Sequence, residues 1–313
     1  MTRSLAKPFL FILWLVFLHN CATIENRTSD VKVIRERVVM AIGNKELEKM
    51  LQTAASAAKL AGRKALDQIN SISASVKNNS ELVTQADAAC QQIIIDTIKK
   101  TFPDSGFIGE EGKDGAMFRQ EPKGNEKIWW VIDPIDGTNN FVHKILSFTV
   151  SIAAMHDGSP IAGVVYEPTA EAMFAAVKGE KAKLNDKEIT AGDEGINRFA
   201  SIGLDGRFEE GVPKWACGLM EKTKFRNFGT TALHIAYVAS GSLAASLISY
   251  PKLWDIAAGA LIAEQAGAIV TDWKGEKIFP VDLENYNKET FQVLAANKKA
   301  HAQILKMIST EKC

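Results

Sequence analysis

The 313-residue chain is 46% hydrophobic and 24% charged, enough apolar material for a full core and for one large or two medium domains. Its 37 basic and 37 acidic residues cancel, and the basic ones are scattered rather than striped, so the charge offers no footprint for wrapping nucleic acid. Cys90, Cys217 and Cys313 are widely spaced with no CxxC pair, a pattern that suggests neither a disulfide framework nor a zinc site.

In chain order, Arg3 and Lys7 first flank PFLFILWLVFL (residues 8–18), an apolar run of signal-peptide length that is short for a bilayer span. Residues 1–30 are therefore expected to export or anchor the chain. Cys21 stands where a lipoprotein is cleaved and lipidated, although Asn20 before it is large for that role. The alternative is a cytoplasmic product that starts at Met40. Residues 31–44 read as a linker.

From Lys45 the pattern becomes helical. Leu47, Met50, Leu51, Ala54, Ala58, Ala61 and Ala65 recur at spacings of three and four, giving one apolar stripe on a long helix that ends near Asn70. SVKNNSELVT reads as a polar loop, and a second helix follows through Ile93, Ile94 and Ile98. GFIGEEGKDG reads as a Gly-rich acidic loop and IWWVID as a strand. SFTVSIAAM, IAGVVYE and MFAAVKG, separated by turns, predict an antiparallel meander. Beyond AGDEGIN the elements alternate: FASIGL, a helix near residues 209–221, KFRNFG, a helix over residues 230–240, and SLAASLIS. WDIAAGALIAEQAG then predicts a helix of small residues, followed by strands AIVTDW and FQVLAAN and a last helix, AHAQILKMI. The division expected is an α+β half over residues 45–190 and an α/β half over residues 191–313.

Four acids stand beside small or apolar residues at the ends of predicted elements, where an unpaired carboxylate is costly: Glu110, Asp133, Asp136 and Asp255. Asp133 and Asp136 flank Pro134 and Ile135, so a strand ending there can turn both carboxylates into one cavity with the Ile135 carbonyl between them. Oxygen donors at close range suit a hard cation such as Mg²⁺. Taken singly, each acid also has an ordinary explanation as a helix cap, a solvated loop or a turn. An EF-hand is excluded, because Ile135 breaks its alternation of oxygen ligands.

WWVIDPIDGTNNFVH closely resembles the first signature of the inositol monophosphatase family, and LWDIAAGALIAEQAGAIVTDWKG resembles its second. ELVTQAD, FIGEEG and SFTVSIAAMHDGSPIAGVVYEP fall between in family order. The resemblance spans roughly residues 46–308. It implies a layered αβαβα sandwich of the sugar phosphatase type, a lithium-sensitive Mg²⁺-dependent phosphatase with two or three ions per site, a small phosphate ester as substrate and a homodimer. It assigns one ion to Glu110, Asp133, the Ile135 carbonyl and Thr138, a second to Asp133, Asp136 and Asp255, and a weaker third near Glu110. Glu110 and Thr138 would handle the attacking water, and Gly137 and Thr138 the phosphate. Gly229, Thr230 and Thr231 match a helix start that meets substrate hydroxyls. Lys77 and Asp87 match the family's lysine and outer acid.

Three positions depart from the pattern, the first being Thr231, where alanine is common. Ile248 stands where inositol-selective members carry an acid for ring hydroxyls, which weakens selectivity for inositol and leaves fructose 1,6-bisphosphate, histidinol phosphate and 3′-phosphoadenosine nucleotides as alternatives. Asn139 replaces a usual threonine. His143 and His234 lack acid or nucleophile partners in sequence and read as structural.

Overall fold

The computed structural model describes residues 42–70, 74–77, 81–123, 127–204, 208 and 211–310, with the side chains of 74–77, 81–84 and 114 excepted. Expectations for the leader, Cys21 and Met40 fall outside these residues. Residues 47–313 form one compact unit.

Helix α1 (Asn44–Gln68) carries its predicted stripe, with Leu47, Met50, Ala54, Ala58, Ala61 and Ala65 buried. The stretch expected as a polar loop instead contains a hairpin, β1 (Ala74–Lys77) against β2 (Glu81–Thr84), in which Val76, Val83 and Thr84 are β-branched residues that favour extended backbone. Helix α2 (Gln85–Lys99) lies against α1, where the Cys90 thiol meets the Ala61 carbonyl at 3.3 Å. The Gly-Phe-Ile-Gly start of the expected acidic loop is strand β3 (Gly106–Gly109), buried throughout. Glycines hid it from a propensity argument, but Gly106 and Gly109 are required by close neighbours: a Cβ at Gly106 would come within 2.7 Å of Pro122.

The first sheet has eight strands. To β3 it adds β4 (Phe118–Gln120), β5 (Trp129–Asp136), β6 (Thr149–His156), β7 (Ser159–Glu167), β8 (Ala172–Val177), β9 (Lys183–Leu184) and β10 (Lys187–Glu188). Their order is β10-β9-β8-β7-β6-β5-β3-β4, and β6 to β9 form the predicted meander. Only the β3–β5 pairing is parallel. The short helix α3 (Thr138–Val142) follows β5 directly.

The second sheet has five strands in the order β12-β11-β13-β15-β14, from β11 (Ser201–Leu204), β12 (Lys224–Arg226), β13 (Ala245–Ile248), β14 (Ile269–Thr271) and β15 (Val293–Ala296). Helix α4 (Lys214–Lys222) starts later than predicted, after Pro213, whose fixed φ suits a helix entry. Helices α5 (Thr231–Ala239), α6 (Leu253–Gln265) and α7 (Lys298–Thr310) complete the set.

Layering follows from strand alternation. On β15, Val293 and Ala295 join a core with α5, α6 and the inner face of the first sheet, whereas Leu294 and Ala296 face α4 and α7. Helix α6 is apolar on nearly every side because both sheets cover it. The result is five layers: α1 and α2, the eight-stranded sheet, α5 and α6, the five-stranded sheet, then α4 and α7.

Candidate active site

The site begins at an irregularity in β5. Asp133 pairs with Ser151 and Asp136 with Thr149, so three steps on β5 oppose two on β6. In a regular strand, residues three apart face opposite sides. The bulge at Pro134–Ile135 removes that opposition and turns both acids to the α5–α6 side. Thr149 and Ser151 share this face: the Thr149 hydroxyl donates to Asp136 at 3.2 Å and the Ser151 hydroxyl to the Trp254 carbonyl at 3.0 Å.

Asp136 is 7% exposed and heavily hydrogen bonded. Besides Thr149, it accepts from the Thr230 hydroxyl and from the backbone N–H groups of Thr231 (3.2 Å) and Ala232 (2.8 Å). The first turn of α5 thus points at this carboxylate, and Thr230 also caps that helix by accepting from Leu233 N. Asp133 is 2% exposed and accepts from Ile135 N at 3.0 Å. Asp255, in the first turn of α6, accepts from Lys252 N at 2.7 Å and shares a side-chain hydrogen bond with Asp133. Glu110 follows β3, and its N–H extends the parallel ladder to Ile132 O at 3.2 Å.

Burial, followed by repulsion from Glu110, Asp136 and Asp255, raises the Asp133 carboxyl well above the usual carboxylate range. Burial raises Asp136 too, opposed by its four hydrogen bonds. Burial first and Asp136 second push Asp255 up to about 7. Four acids crowded into a poorly solvated place hold negative charge that a cation would neutralise, and their donors are all oxygens, as a hard divalent ion prefers. Among the described residues no three acidic, histidine or cysteine side chains are drawn together tightly enough to form a cage unaided. The fit to a cation is therefore one of chemistry and shared face.

The turn after β5 comes next. Gly137 caps α3 at φ 96°, and a Cβ there would lie 3.1 Å from the Gly229 carbonyl and 3.4 Å from Thr230 Cβ. The Thr138 hydroxyl lies 3.1 Å from the Ile135 carbonyl and 3.3 Å from Asp87 Oδ1, and Asp87 is fully buried on α2. Gly229 has φ 72° and packs against Asn140, whose amide donates to Ser147 O (2.7 Å) and Phe228 O (2.6 Å).

Of the residues singled out in the sequence, Asp133, Ile135, Asp136, Gly137, Thr138, Asp87, Gly229, Thr230, Thr231, Glu110 and Asp255 are thus gathered at one end of β5. The contacts of Thr230 and Thr231 run to Asp136. Lys77 is on β1, and its side chain lies outside the described residues. Ile248 ends β13 opposite Val293 and is fully buried, far from an acid's role in environment as well as in chemistry. Asn139 is exposed. Buried His234 accepts from Phe228 N at 2.9 Å, and burial holds its pKa down to about 4. His143 touches the Asn139 carbonyl, within its own short helix.

Sequence reasoning missed Thr149, Ser151 and Asn140. Thr149 and Ser151 did carry a signal, as hydroxyls at alternate positions of an otherwise apolar strand. Asn140 carried none beyond being a polar residue among buried ones.

Five α and β layers with clustered carboxylates where the bulged strand β5 and helix α6 meet define a protein with the fold of the sugar phosphatases. The inositol monophosphatase family model matches residues 45–312, and the chain belongs to that family. The Nus factor SuhB of Xylella fastidiosa is 33% identical over 256 residues, covering 79% of this chain and 90% of that protein. Among solved structures, the extragenic suppressor protein suhB of Bartonella henselae superposes with a TM-score of 0.74 at 28% identity, over 83% of this chain and 98% of that one. An IMPase of Thermotoga maritima gives 0.72 at 27%, over 84% and 97%.

Proposed function

We propose that this protein is a Mg²⁺-dependent phosphomonoesterase whose first candidate substrate is inositol monophosphate. The observation that carries this reading is the β5 bulge, which places Asp133 and Asp136 on one face beside Asp255 and Glu110. Glu110, Asp133, the Ile135 carbonyl and Thr138 would hold one Mg²⁺, and Asp133, Asp136 and Asp255 a second, with a weaker third near Glu110. Bound there, such ions activate water, neutralise phosphoryl oxygens and stabilise a leaving alkoxide.

The protein's own groups supply orientation. The Thr138 hydroxyl, set between Ile135 O and Asp87, and the Glu110 carboxylate align the attacking water, and the carboxylate takes its proton. The N–H groups of Gly137 and Thr138 meet the phosphate, and Gly137 adopts the positive φ of the turn that presents them. Gly229 and Thr231 border the substrate, while Thr230 acts through Asp136. Lys77 is assigned a supporting role from the resemblance alone.

The name of the Thermotoga maritima relative supports inositol monophosphate. Ile248 offers no acceptor for ring hydroxyls, which keeps fructose 1,6-bisphosphate, histidinol phosphate and 3′-phosphoadenosine nucleotides in the comparison. The test is phosphate release by the purified protein from this panel, with and without Mg²⁺. Asp133→Asn is expected to lower Mg²⁺-dependent turnover by on the order of a hundredfold or more, while leaving the fold intact by circular dichroism. A protein that binds metal or sugar phosphate without releasing phosphate would refute the enzyme reading.

The curated relative's name, Nus factor SuhB, favours a second reading, in which the protein serves as such a factor. The exclusion of nucleic acid, drawn from charge balance, is therefore itself a proposal. Retention of labelled RNA by the metal-loaded protein at physiological salt would overturn it. A homodimer, from the resemblance, is checked by sedimentation. Export or anchoring through residues 1–30 is checked by mass spectrometry of the mature N-terminus. Among the described residues no helix is long and apolar enough to cross a membrane.

A further inference from the structure

Glu110 leaves the sheet at the last rung of a parallel ladder, and a side chain at such an exit is only as well placed as the backbone that follows it. The residue that fixes this backbone is on another element. Gln91 of α2 is 4% exposed, and its amide grips Glu111 in both directions: Nε2 donates to Glu111 O at 2.6 Å, and Glu111 N donates to Oε1 at 3.0 Å. A side-chain amide used in this way extends the hydrogen bonding of β3 beyond Gly109. Glu110 is therefore held on both sides, by Ile132 O at its own N–H and by Gln91 at the next residue.

Position on the helix adds a second observation. Gln91 is one turn beyond Asp87, so both point to the same side of α2. Asp87 receives the Thr138 hydroxyl. One face of one helix thus touches Thr138 directly and Glu110 through its neighbour, and these are the two groups assigned above to the attacking water. The fit at Gln91 is tight: a Cβ on Gly109 would fall 2.4 Å from Gln91 Oε1.

We propose that Gln91 is a positioning residue for Glu110, and that α2 sets the relation between Glu110 and Thr138 through Gln91 and Asp87. The inference rests on the phosphatase reading for its kinetic consequence but not for its structural one. A misplacement of the order of 1 Å is enough to lower turnover about a hundredfold.

The test compares Gln91→Ala, Gly109→Ala and the exposed-face control Gln92→Ala in the full-length protein. Gln91→Ala removes the grip. Gly109→Ala displaces the Gln91 amide without altering it. Three measurements are made: amide hydrogen exchange at Glu111, Mn²⁺ affinity by paramagnetic relaxation without substrate, and kcat and KM for inositol 1-phosphate and p-nitrophenyl phosphate. Both test variants are expected to speed Glu111 exchange, weaken Mn²⁺ binding about fivefold and lower kcat tenfold or more, with KM within about threefold of wild type. The double variant should be no worse than Gln91→Ala, since both changes break one contact.

Faster Glu111 exchange with unchanged Mn²⁺ affinity and kcat would overturn the proposal, as would additive effects in the double variant. If Gln91→Ala does not fold, Gly109→Ala decides alone. Wild-type protein with no Mg²⁺-dependent turnover would refute the phosphatase reading, and Mn²⁺ affinity in the variants would still decide the role of Gln91.

Discussion

At the scale of single residues, His234 and Asp255 pull stability in opposite directions as pH changes. His234 is buried, neutral and accepts the Phe228 N–H, with its pKa lowered to about 4 by burial. The unfolded chain binds that proton from about pH 6.5 downward, whereas the folded chain waits until about 4. Stability from this residue is full above 6.5 and falls as pH drops through the window, by on the order of 3 kcal/mol. His234→Gln, which keeps an acceptor but does not titrate, is expected to flatten the melting temperature between pH 6.5 and 4.5. Equal slopes in the two proteins would refute this.

Asp255 behaves conversely. Its carboxyl is raised to about 7, so the folded protein without metal binds a proton that the unfolded chain has released, and its contribution declines as pH rises from about 4 to 7. Asp255→Asn should raise the metal-free melting temperature at pH 8 and abolish most of the increase that Mg²⁺ gives the wild type. Melting curves with and without Mg²⁺ at that pH measure both effects.

At the scale of elements, the turn carrying Gly137 and the loop carrying Gly229 are joined by Asn140. Its amide donates to two carbonyls, one in the loop before β6 and one in the loop before α5. Asn140→Asp replaces those donors with oxygens that face Ser147 O and Phe228 O. A loss of about 2–3 kcal/mol is expected, with α5 pulled away from Asp136, and Asn140→Ala should cost less because it adds no repulsion. Chemical denaturation compares the three proteins. The same elements show what was legible in the sequence. Helices α1 and α6 could be read because their apolar spacing and small residues reflect the surfaces they meet. The acids of β5 could be read because two carboxylates flank Pro134 and Ile135 at the end of the apolar run Trp129–Ile132, in a stretch that resembles a family signature. β3 could not, since its glycines are demanded by Pro122 and Gln91 from outside the strand. Nor could Asn140, whose partners lie 7 and 88 residues away and leave no spacing to detect.

At the scale of the whole molecule, the site draws on both sheets through the helical layer they share. β5 supplies Asp133 and Asp136, α6 supplies Asp255, and α5 supplies the donors to Asp136. The first sheet is also tied to the far segment by Arg119, which stacks on Trp129 and donates to the carbonyls of Leu283, Glu284 and Tyr286. Tyr286 in turn receives the N–H of Leu253 at the start of α6. Neither tie was visible in sequence, because each joins an exposed-looking polar residue to backbone far along the chain.

The hydrogen bonds on Asp136 have one more consequence, which concerns synthesis. Three of its four donors lie 94, 95 and 96 residues further along the chain. A growing polypeptide that has already released Glu110, Asp133 and Asp136 therefore exposes three acids with neither α5 to receive one of them nor Asp255 to complete the set. Contacts of that span close late, because the loop between them must first be ordered. The acidic pocket is finished only once Asp255 is available, so a partly made copy lacks the full set of carboxylates on which the proposed metal site depends.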